Sequence, residues 1–152
     1  MLEIDLSVQT LVVRNALSER GVLAALALLN DRTEYRYTGI YKFEGEVMRA
    51  VHVFDRFAEH RTWLRAVPLG RSFCRYVLQE GEFLTVSASN DTRLGSHPYD
   101  GIVESYYGRL LQRNDGGVYG TFIHFDMEPR EIAAQELAFL KEVVPLFLGY
   151  LD

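Results

Sequence analysis

Cysteine is almost absent from this sequence, since Cys74 is the one thiol among its 152 residues. A single thiol excludes a disulfide within the chain and any metal knuckle built from paired cysteines. Proline is also scarce, and the four prolines are scattered instead of grouped in a linker. The sequence contains neither an internal repeat nor a low-complexity tract. A length of 152 residues is the usual size of one domain, so we expect one ordered unit.

Long hydrophobic runs and basic clusters are lacking as well. The longest apolar run, residues 21–29, is far shorter than the roughly 20 residues that cross a bilayer, and no signal-peptide pattern opens the sequence. We therefore expect a cytoplasmic protein that contacts no membrane. Lys and Arg total 16 against 21 Asp and Glu, a net charge of −5. Binding to a phosphate backbone draws on concentrated positive charge, so we expect no nucleic-acid partner.

Helical patterns lie at both ends of the chain. Residues 6–29 read as one helix or as two consecutive helices, because Ser18 and Gly21 offer an N-cap and a weak point. Residues 22–29 are apolar on every side, which predicts a helix buried all round, under the domain's own sheet or in a partner's interface. Residues 131–151 form a second helical pattern, in which Pro145 should break the hydrogen-bond ladder and bend the helix. Its apolar positions recur at steps of four and three, a seam suited to helix packing: Ala133, Leu137, Leu140, Val144, Phe147 and Leu151.

Two hairpins are predicted by alternating residues and turn chemistry. Residues 34–44 alternate with a period of two, Gly45 supplies a turn, and residues 47–55 return as a second strand rich in β-branched side chains. Residues 107–113 and 118–126 form the other pair of strands. They are joined by Asn-Asp-Gly-Gly, whose members tolerate positive φ.

The segment between the hairpins is mixed. Residues 72–79 read as a short helix that Gly81 ends in the left-handed conformation, and residues 83–88 read as a strand. Residues 89–100 are rich in turn formers and predict a loop, and residues 101–105 predict one short helical turn.

Several short segments stand out along these elements: Ala27 to Asn30, Tyr37 to Phe43, Val67 to Leu69, Ser72 to Cys74, Asp91 to Leu94, His97-Pro98, Gly117 to Thr121, Pro129 and Glu136-Leu137. Together with the order of the elements, these segments resemble the GAF domain family. The resemblance covers about residues 18–150. We therefore expect an N-terminal helical extension at residues 1–17 and a single GAF-like domain at residues 18–152.

The resemblance implies an α+β fold with a central antiparallel sheet of five or six strands. The N- and C-terminal helices should cover one face. A small-molecule pocket should lie on the other, roofed by short helices and loops within residues 56–80 and 88–107. Members of the family usually serve as sensory or regulatory modules in signal transduction and often dimerise through their terminal helices. The expectation is a homodimeric sensor that passes ligand occupancy to a signalling partner protein, with ligand and cofactor unidentified. The alternative, a domain whose pocket is closed by side chains and which only dimerises, explains the sequence nearly as well.

Candidate ligand contacts come from the segments that the resemblance places around the pocket. An aromatic lining suits a flat ring or an aliphatic ligand, and Tyr99 and Tyr106 also lie near the predicted pocket. Arg93 offers a planar fork for a carboxylate or phosphate. In the alternative interpretation Asp91 caps a turn and Arg93 is a solvated loop charge. The full set is Trp63, Phe73, Cys74, Tyr76, Asp91, Arg93, His97, Glu104 and Tyr107.

Catalytic chemistry has one weak candidate, Cys74. Free methionine sulfoxide reductases resemble GAF domains, but they form a disulfide between two cysteines, so this chain would need an external thiol. The alternative is that Cys74 is a small apolar residue filling the domain interior. His52, His97 and His124 with Glu104 lack the spacing of a metal site, so no metal is predicted. The signatures that accompany cyclic-nucleotide binding and bilin attachment are absent from the sequence.

Overall fold

The computed structural model describes residues 2–59, 65–68, 73–94 and 103–151. In chain order its helices and strands are α1 (Leu2–Glu19), α2 (Val22–Asp31), β1 (Tyr37–Glu44), β2 (Val47–Asp55), β3 (Ala66–Pro68), α3 (Cys74–Glu80), β4 (Glu82–Thr85), β5 (Ser105–Gln112), β6 (Val118–Asp126) and α4 (Ala134–Val143). Short 3-10 helices occupy Ala88–Asn90 and Val144–Tyr150. The six strands form one antiparallel sheet in the order β3-β2-β1-β6-β5-β4. The predicted α+β architecture is confirmed.

Helices α1, α2 and α4 cover one face of the sheet, here called the helix face. Gly21, at φ 98°, separates α1 from α2, so the alternative of two helices is correct. Of the two alternatives for residues 22–29, burial under the domain's own sheet alone does not hold at Leu23, which is 49% exposed within this chain, and burial in a partner's interface stays a prediction. A helix lying on a sheet buries one stripe of side chains, and in α2 that stripe contains Ala25, Leu26 and Leu29.

The predicted C-terminal seam packs against the chain's own core. Leu140, Val144 and Phe147 are buried in the cluster on the helix face. The α-helix ends at Val143, and a 3-10 helix with Pro145 in its first turn continues to Tyr150. This change confirms the predicted break, because proline lacks the N–H that an α-helical ladder requires.

Helix α3 and the 3-10 turn Ala88–Asn90 belong to the opposite face, here called the α3 face. Gly81 ends α3 with φ 83°, as predicted. The predicted helical turn over residues 101–105 is wrong at Val103 to Ser105, since β5 begins at Ser105. The strand predicted over residues 83–88 is shorter, and β3 was not predicted, because three edge residues carry too little alternation to be recognised. No helix of the described residues is long and apolar enough to span a membrane.

Candidate ligand-binding face

The α3 face buries a second apolar cluster that is separate from the core under the terminal helices. The buried members of this cluster are aromatic, aliphatic or sulfur-containing, and none carries a formal charge: Tyr37, Tyr41, Met48, Phe73, Cys74, Val77, Phe83, Ala88, Leu94, Val103, Tyr106, Ile123 and Phe125. Such an interior offers apolar contact and a few uncharged polar atoms.

A thiol and two hydroxyls meet inside this cluster. Cys74, the first residue of α3, places its Sγ 3.4 Å from the Tyr106 Oη and 3.6 Å from the Thr121 Oγ1. We call these three residues the thiol centre. Tyr106 lies on β5 and Thr121 on β6, so the thiol centre joins α3 to the middle of the sheet. All three side chains are buried.

Gly108 makes room for the side chain of Tyr106. A Cβ atom at position 108 would lie 2.6 Å from the Tyr106 Oη and 2.6 Å from a methyl carbon of Val77. The phenol therefore lies along β5, across the space that a side chain at 108 would fill. Burial, and secondarily the neighbouring Cys74, raises the pKa of the Tyr106 phenol well above its usual value. Tyr106 consequently stays protonated at neutral pH and presents a neutral hydroxyl.

Asp91 and Arg93, the two ligand contacts predicted in the loop, form hydrogen bonds with each other. The Asp91 Oδ1 accepts hydrogen bonds from the Arg93 backbone N at 3.0 Å and from its Nε at 2.9 Å. The Arg93 Nη2 also donates to the Leu84 carbonyl at 2.6 Å, and its guanidinium lies 4.6 Å from the centre of the Phe83 ring. The side-chain hydrogen bond from Arg93, and secondarily the Thr85 side chain and the Arg93 backbone N–H, hold the pKa of the Asp91 carboxyl below its usual range. Asp91 thus caps its own turn, and Arg93 ties that turn to the carbonyl of edge strand β4.

Arg93 and Tyr76 line a groove on the outer surface beside β4, with a volume of about 700 Å³. The Tyr76 ring stacks on Phe83 at 4.8 Å, and its Oη accepts a hydrogen bond from the Arg75 Nη2 at 2.7 Å. Phe73 packs inside, with its ring centre 4.9 Å from that of Tyr106. Of the predicted ligand contacts, Cys74 therefore belongs to the thiol centre and Phe73 packs against it, whereas Tyr76 and Arg93 lie together in the outer groove.

Two other predicted contacts lie elsewhere. The Glu104 Oε2 accepts hydrogen bonds from the hydroxyls of Ser87 and Ser89, and so holds the 3-10 turn in place. Tyr107 belongs to the core on the helix face, and its Oη donates to the Glu82 Oε2 at 2.7 Å. Burial raises the pKa of Tyr107 above its usual value, and the hydrogen bond to Glu82 adds to this rise. Trp63 and His97 lie outside the described residues.

His124 is buried on the helix face, away from the thiol centre. Its Nδ1 lies 2.6 Å from the Thr38 Oγ1, and its ring stacks on Tyr35 with 5.2 Å between ring centres. Burial, and secondarily the positive charge of Arg56, lowers the pKa of His124 to about 3. The part of the chain that the structure describes contains no group of His, Cys, Asp and Glu side chains positioned to hold a metal ion.

Sequence reasoning did not assign Thr121 to the site and named Tyr106 only among nearby aromatic residues. Period-two alternation along β6 places Thr121 on the same face as Ile123 and Phe125, so the sequence pattern could have predicted its place at the site. No sequence pattern predicts that the Tyr106 side chain extends across Gly108, because this depends on packing between α3 and β5.

No family model matches the sequence, and no curated protein matches it. The fold is similar to that of the GAF domain of a phosphoenolpyruvate-protein phosphotransferase from Acinetobacter, with a TM-score of 0.76 and 12% identity over 99% of this chain and 92% of that chain.

Two further solved structures are also similar. One is a type II free methionine-R-sulfoxide reductase from Thermoplasma acidophilum, with a TM-score of 0.67 and 14% identity over 93% of each chain. The other is the chromophore-binding domain of a phytochrome from Stigmatella aurantiaca, with a TM-score of 0.73 and 11% identity over 97% of this chain and 60% of that chain. The described residues therefore have the fold of a GAF domain.

Proposed function

We propose that this domain is a sensory module that binds a small molecule on the α3 face and passes its occupancy through the terminal helices to a signalling partner in the cytoplasm. The observation that carries the proposal is the thiol centre, which places uncharged polar atoms within an aromatic and aliphatic interior. A few polar groups in an apolar surround are the usual composition of a small-molecule site. The phytochrome neighbour is described as a chromophore-binding domain, which supports the kind of ligand.

The proposed ligand is uncharged at its buried end. Tyr106, Thr121 and Cys74 supply hydroxyl and thiol groups, whereas an anion at this position would need a charged partner to offset its desolvation. Arg93 is already bonded to Asp91 and to the Leu84 carbonyl. We therefore propose that Arg93 orders the loop and does not bind an anionic ligand.

Native mass spectrometry of the freshly purified protein, beside its denatured mass, tests the proposal. We expect a small molecule that is released on denaturation, and we expect Tyr106→Phe to retain less of it than the wild type. Tyr150→Phe is the matched control, because Tyr150 is 46% exposed on the last 3-10 helix. A wild-type protein that retains no small molecule, and binds none from a cell extract, would favour the alternative of a domain that only dimerises.

The proposed assembly is a homodimer through α1. Val8, Leu11 and Val12 expose 47–56% of their surface, and their spacing places them on one stripe of α1, opposite the buried Val13 and Leu17. A second copy would cover this stripe. Light scattering should give twice the chain mass for the wild type and the monomer mass for Leu11→Glu.

A second candidate function is a thiol-dependent reductase of free methionine sulfoxide. The observation that favours it is the contact of the Cys74 thiol with two hydroxyls, on a fold also found in a free methionine-R-sulfoxide reductase. Cys74 is the one cysteine of the sequence, so turnover would require an external thiol such as dithiothreitol. An assay of methionine sulfoxide reduction with wild type and Cys74→Ser tests this candidate. Turnover that survives in Cys74→Ser would eliminate it.

A further inference from the structure

Arg56 connects the loop after β2 to the C-terminal end of α2. Its Nη2 donates to the Asn30 carbonyl at 2.9 Å and to the Thr33 carbonyl at 2.8 Å, and its Nε donates to the Asn30 Oδ1 at 3.0 Å. The last carbonyls of a helix lack partners within the helix and carry partial negative charge. The Asn30 carbonyl is one of these, whereas Thr33 lies two residues past the end of α2. The guanidinium therefore caps α2 at Asn30 through a charge-assisted bond and also holds the segment that follows the helix.

Asn30 extends this contact into the sheet. Its side chain is buried, and its Nδ2 donates to the Tyr35 carbonyl and to the Thr38 Oγ1, each at 2.9 Å. Thr38 lies on β1, and its hydroxyl contacts His124 of β6. One asparagine side chain thus bonds to the loop through Arg56 and to β1 through Thr38. Buried polar chains of this kind lose much of their stability when one member is removed.

The loop at residues 55–59 is itself internally braced. The two oxygens of the Asp55 carboxylate accept hydrogen bonds from the backbone N of Phe57 and of Glu59, each at 3.0 Å. The Arg36 guanidinium donates to both oxygens, at 2.9 and 3.2 Å, and lies 4.7 Å from the centre of the Phe57 ring. We expect a loop held in this way to shift as one piece, and Arg56 is its second residue.

We propose that Arg56 and Asn30 form a joint that couples the conformation of the 55–59 loop to the C-terminal end of α2. Loosening of the loop removes the cap from α2, and ordering of the loop restores it. This joint connects the segment after β2 to the helices of the helix face. One of these helices, α1, carries the proposed dimer surface. Its use as a signal path rests on the proposed function, whereas the coupling itself requires no ligand.

Hydrogen–deuterium exchange of the ligand-free full chain, measured at single amides by NMR, tests the coupling. The perturbation is Asp55→Ala, which removes the acceptors of the loop amides. The readout is the exchange of the Arg32 and Thr33 amides, which donate to the carbonyls of Leu29 and Asn30. We expect Asp55→Ala to speed exchange at both of these amides by about tenfold, because charge-assisted bonds to α2 are lost with the loop. If Asp55→Ala does not fold, Phe57→Ala replaces it, since Phe57 is 62% exposed.

Two second-site variants decide whether Arg56 carries the effect. In an Arg56→Gln background, the loop variant should no longer change exchange at Arg32 and Thr33, although it still speeds exchange within the loop. Arg32→Gln is the matched control. Arg32 lies at the same helix end but pairs with Glu136 of α4 at 2.8 Å, so the transmitted effect should survive there.

The proposal is overturned if the loop variant leaves the Arg32 and Thr33 amides unchanged, or if the transmitted effect persists in Arg56→Gln. Neither outcome depends on a ligand. Failure to retain a small molecule would instead count against the proposed function and would leave the coupling standing.

Discussion

The two faces of the sheet bury polar groups in different ways. On the helix face, Asn30, Thr38 and His124 form a hydrogen-bonded chain that the charged side chain of Arg56 completes. On the α3 face, Cys74 contacts the neutral hydroxyls of Tyr106 and Thr121 in the thiol centre. The first chain links two strands, a loop and a helix, so each member has a fixed structural partner. The second contains hydroxyl and thiol groups that can each donate or accept, and such groups can exchange partners with a bound molecule.

The largest expected effect concerns the core of the helix face. Phe147 is fully buried, and its ring centre lies 6.1 Å from that of Phe122. Phe147→Ala should lower the free energy of unfolding by about 3–5 kcal/mol, because it leaves a cavity in a packed core. Urea denaturation followed by circular dichroism measures this change. Tyr150→Ala, in the same 3-10 helix but half exposed, should cost far less, and equal losses would show that the seam is not core.

Gly108→Ala tests the packing of the α3 face. The added methyl would meet the Tyr106 Oη and Val77 at 2.6 Å each, so both side chains must shift. We expect a loss of about 1–3 kcal/mol in unfolding free energy, which is typical of overpacking. Gly149→Ala is the control, because a Cβ there meets no atom within 4 Å. Equal stability of the two variants would contradict the position given for the Tyr106 side chain.

A pH titration of stability separates the polar chain of the helix face from the thiol centre. In the folded protein the pKa of His124 is lowered to about 3, whereas in the unfolded chain it lies near its ordinary value of 6.5. Below about pH 6.5 the unfolded chain therefore binds a proton at His124 more readily than the folded protein does. Stability should therefore fall as pH drops from about 6.5 towards 5, with this residue contributing up to about 1.4 kcal/mol per pH unit. That window lies above the range in which most carboxylates titrate. His124→Gln should flatten the slope of unfolding free energy against pH. An unchanged slope would show that other groups cause the pH dependence.

The smallest effect is expected at the edge of the α3 face. Arg93 is exposed and pairs with Asp91, so Arg93→Ala should cost less than about 1 kcal/mol of stability in urea denaturation. We also expect the retained small molecule to be unaffected. A ligand whose binding weakens by about 1.5–3 kcal/mol in Arg93→Ala would instead restore this residue as an anion contact.

Local sequence signals predicted most of the fold, and their failures have physical causes. The two hairpins, the left-handed Gly81 and the break at Pro145 follow from turn chemistry and backbone geometry, which act within a few residues. The missed strand β3 and the misread turn at residues 103–105 depend on pairing with distant strands.

The candidate site was less accessible to sequence reasoning. Cys74 and Phe73 were expected at the site, but the position of Tyr107 on the opposite face and the reach of Tyr106 to Cys74 are set by tertiary packing. Arg56 carried no local signal, since its partners lie 23 and 26 residues away in sequence.

The most direct test of the central claim is methyl NMR of the ligand-free protein during titration with the small molecule released from the purified protein. Val77 and Ile123 report on the α3 face, and Ile40 and Leu140 report on the helix face. We predict that the first pair shifts in a saturable way, and that the second pair shifts less but with the same ligand dependence, because occupancy is passed to the terminal helices. Shifts confined to Ile40 and Leu140, or no saturable shift at Val77 and Ile123, would contradict a ligand site on the α3 face.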